Sequence, residues 1–140
     1  MKTIVIDDCK MQNLTTSTLV KNNRNLDFLG SYTDAKKGLA AVNKLKPDLL
    51  ILDVEMPDLN GFDVLQNLEH DCQVIMYSTQ KQYAFKATQF NQVEDFLTKP
   101  INKTELNHSV SKLVSNSLFK RYEGNFASLC LQRTDFVRAS

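Results

Sequence analysis

The chain reads LLILDVEMPDLNG from Leu49 to Gly61. Its first four residues are apolar, and a run of this length is typical of a strand that is buried on both faces. The acidic residue Asp53 follows at once, before the turn residues begin. Burying a carboxylate at the end of a central strand costs free energy unless a positive charge or a hydrogen-bond donor lies beside it. The segment therefore predicts a central strand that presents an acidic functional group at its carboxyl end.

Four other segments predict strands around this one. Short apolar bursts occupy residues 4–6 and 74–77, and weaker ones occupy 26–30 and 94–97. Helical periodicity separates the strands, at about 10–22, 35–45, 60–70, 81–90 and from Pro100 to about Lys120. Thr33 or Asp34 is placed to cap the second helix, and the apolar stripes of the second and last helices should face the sheet. This alternation predicts an α/β fold with a doubly wound, five-stranded parallel sheet.

The composition is that of an ordinary globular domain. Of the 140 residues, 42% are apolar and 24% are charged, and the formal net charge is +1. One domain is expected at this length, and the charge balance does not indicate a nucleic-acid or anionic-membrane partner. The apolar runs do not exceed four residues, so a membrane span is not expected. Cys9, Cys72 and Cys130 lack metal-ligand spacing, which favours reduced thiols and a cytoplasmic location.

Polar side chains follow four of the predicted strands where each strand ends: Asp7 with Asp8, then Asp53, Ser78 and Lys99. The carboxyl ends of parallel strands meet at one edge, so these groups should lie close together. Taken alone, Asp7 and Asp8 fit the cap of the following helix better than a binding site. Together with Asp53 they form three carboxylates that repel one another, and a bound cation such as Mg²⁺ is the usual way in which proteins offset this repulsion. Together these residues predict a site in which carboxylates, a bound metal ion, the lysine ammonium and the serine hydroxyl surround a phosphoryl group.

These residues resemble the receiver domain of two-component response regulators. The resemblance covers residues 1 to about 120 and rests on five motifs in order: Ile6-Asp7-Asp8, Leu52-Asp53, Met56-Pro57 with Gly61, Ser78, and Asp95-Phe96-Leu97 with Lys99-Pro100. It implies a flavodoxin-like fold with strand order 2-1-3-4-5.

The resemblance also implies a role for each matching residue: Asp53 as phosphoacceptor, Asp7, Asp8, Asp53 and the backbone carbonyl of Glu55 as Mg²⁺ ligands, Ser78 as switch hydroxyl, Lys99 as the phosphate-contacting cation, and Phe96 as the aromatic switch residue. The Lys99-Pro100 bond is similar to one that is normally cis in receivers. Thr79 remains the alternative switch hydroxyl, because the interval between Ser78 and Lys99 allows either.

The implied partner is a histidine kinase that donates the phosphoryl group. Activation would expose the fourth helix, fifth strand and fifth helix for homodimerisation, with no enzymatic activity, no membrane contact and no direct nucleic-acid binding by residues 1–120. Three aromatic residues could contribute to that interface: Tyr83, Phe85 and Phe90. The alternative is that two of the three lie in the core.

The segment from Gln82 to Ile101 looks most like receivers joined to LytTR-type DNA-binding domains, which makes control of transcription the expected output. Residues 121–140 break the helical pattern, and Leu129, Leu131 and Phe136 alternate as in a single strand. They are expected to be a loosely packed C-terminal extension or the first piece of an effector domain.

Two other functions share parts of this pattern. A haloacid-dehalogenase-like phosphatase also uses an aspartyl nucleophile with Mg²⁺, but it requires Asp-x-Asp after the first strand, where this chain has Asp7-Asp8. A flavodoxin-type electron carrier requires a Ser/Thr-rich phosphate loop at that place. A docking module that takes no phosphate is disfavoured because the acids, the lysine and the hydroxyl are all present.

Overall fold

The computed structural model describes residues 1–130, with side chains as far as Leu118. Five strands form one parallel sheet in the order 2-1-3-4-5, as predicted. The strands are β1 (Lys2–Ile6), β2 (Asp27–Tyr32), β3 (Leu49–Asp53), β4 (Gln73–Ser78) and β5 (Val93–Thr98). Every residue of β3 is buried, as its continuous apolar sequence predicts.

The helices that join the strands are α1 (Lys10–Lys21), α2 (Ala35–Leu45), α3 (Gly61–Gln66), α4 (Tyr83–Ala87) and α5 (Lys103–Cys130). Asp34 caps α2, since its side chain accepts a hydrogen bond from the Lys37 backbone N–H. The alternative interpretation of Asp7 and Asp8 as the cap of α1 is wrong, because the N-cap is Cys9 and its side chain makes no capping bond.

Two helices are shorter than predicted, and a polar side chain bonds a backbone carbonyl near the end of each. The Asn67 amide donates to the Asp63 carbonyl at 2.8 Å, beside the end of α3. The Thr88 hydroxyl donates to the Phe85 carbonyl at 2.6 Å, beside the end of α4. Such local bonds compete with continuation of the helical ladder.

The last helix is longer than predicted. Helix α5 continues past residue 120 to Cys130, so Leu129 lies in a helix and not in a strand. No proline occurs between Lys103 and Cys130 to interrupt the backbone hydrogen bonds. The predictions for Leu131 and Phe136 lie outside the described residues.

The chain divides into two compact units, Met1–Asn107 and the residues from His108 onward. The first contains the whole sheet, with a core of apolar side chains from the strands and from α2 and α3. In the second, the described part is residues 108–130 of helix α5, where Val110 and Leu113 are buried and Leu118 is exposed. No helix within residues 1–130 has the length and apolar character needed to cross a membrane.

Gly61 marks where α3 begins against the end of β3. A Cβ atom at this position would lie 2.5 Å from the Asp53 carbonyl oxygen and 2.7 Å from Met76 Cε. The Gly61 backbone N–H donates to the Val54 carbonyl at 2.8 Å. This close approach requires glycine, and it fixes the loop that follows Asp53.

Candidate functional site

Three carboxylates meet at the carboxyl edge of the sheet. Asp7 and Asp8 follow β1, and Asp53 ends the neighbouring strand β3. One oxygen from each lies within 4.8 Å of the others, with Asp7 and Asp53 buried and Asp8 exposed. The structure therefore brings together the acids that the sequence predicted at this edge.

Lys99 bridges the two buried acids. Its Nζ lies 3.0 Å from Asp53 Oδ1 and 3.4 Å from Asp7 Oδ2. Burial lowers the pKa of Lys99, but the neighbouring carboxylates of Asp53 and Asp7 more than offset this effect, and the pKa lies above its ordinary value. The Lys99-Pro100 bond is cis, as the resemblance implies. Lys99 is therefore a fixed positive charge in the acidic pocket.

The two oxygens of Asp53 have different surroundings. Oδ1 accepts from the Glu55 backbone N–H at 3.3 Å in addition to its contact with Lys99. Oδ2 is buried and has no hydrogen-bond partner among the described residues. The pKa of Asp53 is raised to about 7, chiefly by burial and further by the neighbouring Asp7 carboxylate, while Lys99 acts in the opposite direction. Asp53 thus has one oxygen that is held by the protein and one that is available for a ligand.

Ser78, the last residue of β4, brings its hydroxyl to the same edge of the sheet. Its side chain is buried, and its Oγ accepts from the Gln80 backbone N–H at 3.0 Å, whereas Thr79 is exposed. The Lys99 backbone N–H donates to the Ser78 carbonyl at 2.9 Å, which ties the end of β4 to the residue that follows β5.

Phe96 and Glu55 lie at the margins of this cluster. Phe96, on β5, is half-buried and packs against the apolar core, in register with Met76 of β4. The side chain of Glu55 is exposed, and its backbone N–H is the group found on Asp53. An open cavity of about 590 Å³ lies on this side, lined by Asp8, Glu55, Met56, Asn60, Tyr83, Lys86 and their neighbours.

Two polar residues of the site were missed by the sequence analysis. The fully buried Tyr77 donates its hydroxyl to Asp7 Oδ2 at 2.5 Å, and its ring lies 4.8 Å below Lys99 Nζ. The Asn13 amide donates to the Asp7 and Tyr32 carbonyls, both at 3.0 Å. A tyrosine within a buried strand needs a partner for its hydroxyl, and this was the available signal.

Comparison with known proteins then identifies the family. Residues 3–111 match the response regulator receiver domain. The chain belongs to this family. Receiver domains interact with histidine kinases, generally bind Mg²⁺ in an acidic pocket, and are in general signal transducers and not enzymes. The match favours a receiver over the phosphatase alternative.

The receiver is similar to an uncharacterized response regulatory protein of Vibrio vulnificus, with 29% identity over 96% of this chain and 56% of the relative. It is 28% identical to the transcriptional regulatory protein BtsR of Escherichia coli, over 81% of this chain and 48% of BtsR. The response regulatory domain of mrkE from Klebsiella pneumoniae has the same fold, with a TM-score of 0.74, 24% identity, and coverage of 83% of this chain and 97% of that one. The chain spans about half the length of the curated relatives it matches.

Proposed function

We propose that this receiver accepts a phosphoryl group on Asp53 from a histidine kinase and changes conformation as a result. The buried, unpartnered Oδ2 of Asp53 is the observation that supports this most directly. A buried carboxylate oxygen without a donor is costly, and it is tolerated where a ligand completes its surroundings. Lys99 on the other oxygen holds the carboxylate in one orientation.

The acidic pocket fits Mg²⁺, since three carboxylates offer oxygen ligands within 4.8 Å of one another and one of the oxygens is unpartnered. Asp7, Asp8, Asp53 and the Glu55 backbone carbonyl would hold the ion. When bound, Mg²⁺ supplies positive charge that stabilises the phosphoryl oxygens during transfer.

The protein's own groups carry out the transfer step. An electron pair of the Asp53 carboxylate forms the O–P bond while the N–P bond of the donor phosphohistidine breaks, and the electron pair of that bond returns to the imidazole nitrogen. The Lys99 ammonium lies 3.0 Å from Asp53 Oδ1, and from that position it would offset the negative charge of the phosphoryl oxygens.

We propose further that Ser78 and Phe96 transmit the change. The buried Ser78 hydroxyl rotates to donate to the phosphoryl group, and Phe96 moves inward from its half-buried position. Thr79, which is exposed, is the weaker candidate for this hydroxyl.

In this proposal, the surface that changes on phosphorylation includes α4 and β5. Two copies of the chain would then form a homodimer through α4, β5 and α5. Tyr83 and Phe90 contact Phe62 in the core, while Phe85 on α4 is 76% exposed. One aromatic side chain of the three is therefore free to contact a partner.

For the complete protein we propose control of transcription from the cytoplasm, without enzymatic activity and without nucleic-acid binding by residues 1–120. The resemblance to a transcriptional regulatory protein supports this output. That the effector is of the LytTR type, and that residues 121–140 begin it, stay predictions.

The proposal is tested with acetyl phosphate and Mg²⁺, followed by intact mass spectrometry. The wild type should gain one phosphoryl group, and Asp53→Asn should gain none. Asp58→Asn is the matched control, because Asp58 is an exposed acid of the same loop. Its backbone φ is 67°, a conformation that Asn also adopts readily. Uptake by Asp53→Asn equal to that of the control would refute the assignment of Asp53.

A further inference from the structure

The carboxylate of Asp7 is engaged by donors of the protein itself. Its Oδ1 accepts from the Cys9 backbone N–H at 2.9 Å. Its Oδ2 accepts from the Tyr77 hydroxyl at 2.5 Å and lies 3.4 Å from Lys99 Nζ. A carboxylate oxygen has about two lone-pair positions, so both positions of Oδ2 are occupied.

Tyr77 is well placed to hold this arrangement. Its side chain is fully buried in β4, which fixes the hydroxyl, and Lys99 Nζ lies over its ring at 4.8 Å. The same residue therefore contacts both the acid and the cation that pairs with it. Asp53 has no equivalent donor on its Oδ2.

We propose that Tyr77 is a positioning residue that commits Asp7 Oδ2 to the protein and thereby lowers the affinity of the acidic pocket for Mg²⁺. The inference rests on the proposed function, since it concerns the cation of that site. A hydrogen bond to a carboxylate withdraws charge from the oxygen and occupies a position that a cation would use. The cation must then be held mainly by Asp8 and by the unpartnered oxygen of Asp53.

The test compares Mg²⁺ affinity in wild type, Tyr77→Phe and Tyr32→Phe, measured by titration of amide signals around residues 7, 8 and 53. Tyr77→Phe keeps the ring beneath Lys99 and removes only the hydroxyl. It should bind Mg²⁺ about three- to tenfold more tightly, the range that one hydrogen bond is worth. Tyr32→Phe removes a hydroxyl from the edge strand β2 and should bind as the wild type does.

A second measurement uses the wild type alone and does not depend on the variant folding. The Tyr77 hydroxyl proton should exchange slowly because the residue is buried, and its signal should persist at saturating Mg²⁺. Loss of that signal on saturation, or an affinity of Tyr77→Phe no tighter than that of the wild type, overturns the inference. The proposed function survives either result if the wild type binds Mg²⁺ and Asp53 is phosphorylated; it fails together with the inference if neither occurs.

Discussion

Lys99 Nζ lies 3.0 Å from Asp53 Oδ1, while the other oxygen of Asp53 is buried without a hydrogen-bond partner among the described residues. The lysine is thus on one side of the carboxylate only. Lys99 neutralises the negative charge of Asp53 only in part, because the same lysine also pairs with Asp7. This asymmetry has measurable consequences for stability, for metal binding and for the response to phosphorylation.

Metal-free protein should lose stability as the pH rises from about 4 to about 7. The folded pKa of Asp53 is about 7 against an ordinary 3.8, so in this interval the folded state retains a proton that the unfolded state has released, and the free energy of unfolding falls. The loss is about 4 kcal/mol at most, and it is complete above the folded pKa. Urea unfolding in EDTA at several pH values measures it. Asp53→Asn should lack this decline and Asp58→Asn should keep it; equal slopes in all three proteins would contradict the assigned titration.

Asp8→Asn should bind Mg²⁺ at least about tenfold more weakly than the wild type, because loss of a ligand costs no less than loss of a residue that only supports a ligand. The exposed Asp8 has little role in packing, so the stability of the metal-free variant should change little. Titration followed by amide signals gives the affinity. Asp58→Asn should match the wild type, and a similar loss in that control would point to general charge and not to a site.

Mg²⁺ should stabilise the wild type at neutral pH, because a cation bound to the acidic pocket of the folded state alone would shift the folding equilibrium by mass action. Asp53 is then ionised in the presence of positive charge, and the decline in stability between pH 4 and 7 should become smaller. Thermal or urea unfolding at Mg²⁺ concentrations raised in 10-fold steps measures both the gain in stability and its dependence on pH. A pH profile that is unchanged by saturating Mg²⁺ would exclude the acids as ligands.

Beryllofluoride, a mimic of the phosphoryl group, should shift amide signals over residues 80–105 in the wild type and increase its mass in sedimentation. Ser78→Ala should still bind the mimic at Asp53 but show a reduced shift, because the hydroxyl that reports occupancy is lost. Thr79→Ala is the matched control and should respond normally. The opposite pattern would make Thr79 the switch hydroxyl, and no response with Asp53 occupied would remove the proposed coupling.

Gly61→Ala should destabilise the protein by about 1 to 3 kcal/mol, the usual cost of overpacking. The added methyl would lie 2.5 Å from the Asp53 carbonyl oxygen, which cannot move without displacing the end of β3. Gly30→Ala is the control, because its nearest contact would be an ordinary 3.5 Å from Tyr32. Urea unfolding compares the two, and equal stabilities would show that α3 yields freely.

The sequence by itself determined the alternation of strands and helices and the edge at which the polar groups lie. Buried strands such as 49–52 are apolar throughout, and helices such as Ala35–Leu45 repeat at helical spacing, so both patterns are local and readable. Parallel strands then bring Asp7, Asp53 and Lys99 to one edge without further information.

The tertiary structure alone decided how these groups pair. The bond from Tyr77 to Asp7 joins residues 70 positions apart, and it depends on strand register and on the direction of a buried side chain, neither of which is encoded in local periodicity. The ends of α3 and α4 also differ from the predicted bounds, and a side chain bonds a backbone carbonyl beside each of them. The sequence also does not show which oxygen of Asp53 is left free, because Lys99 and the Glu55 backbone N–H come to lie on Oδ1 only when the chain folds.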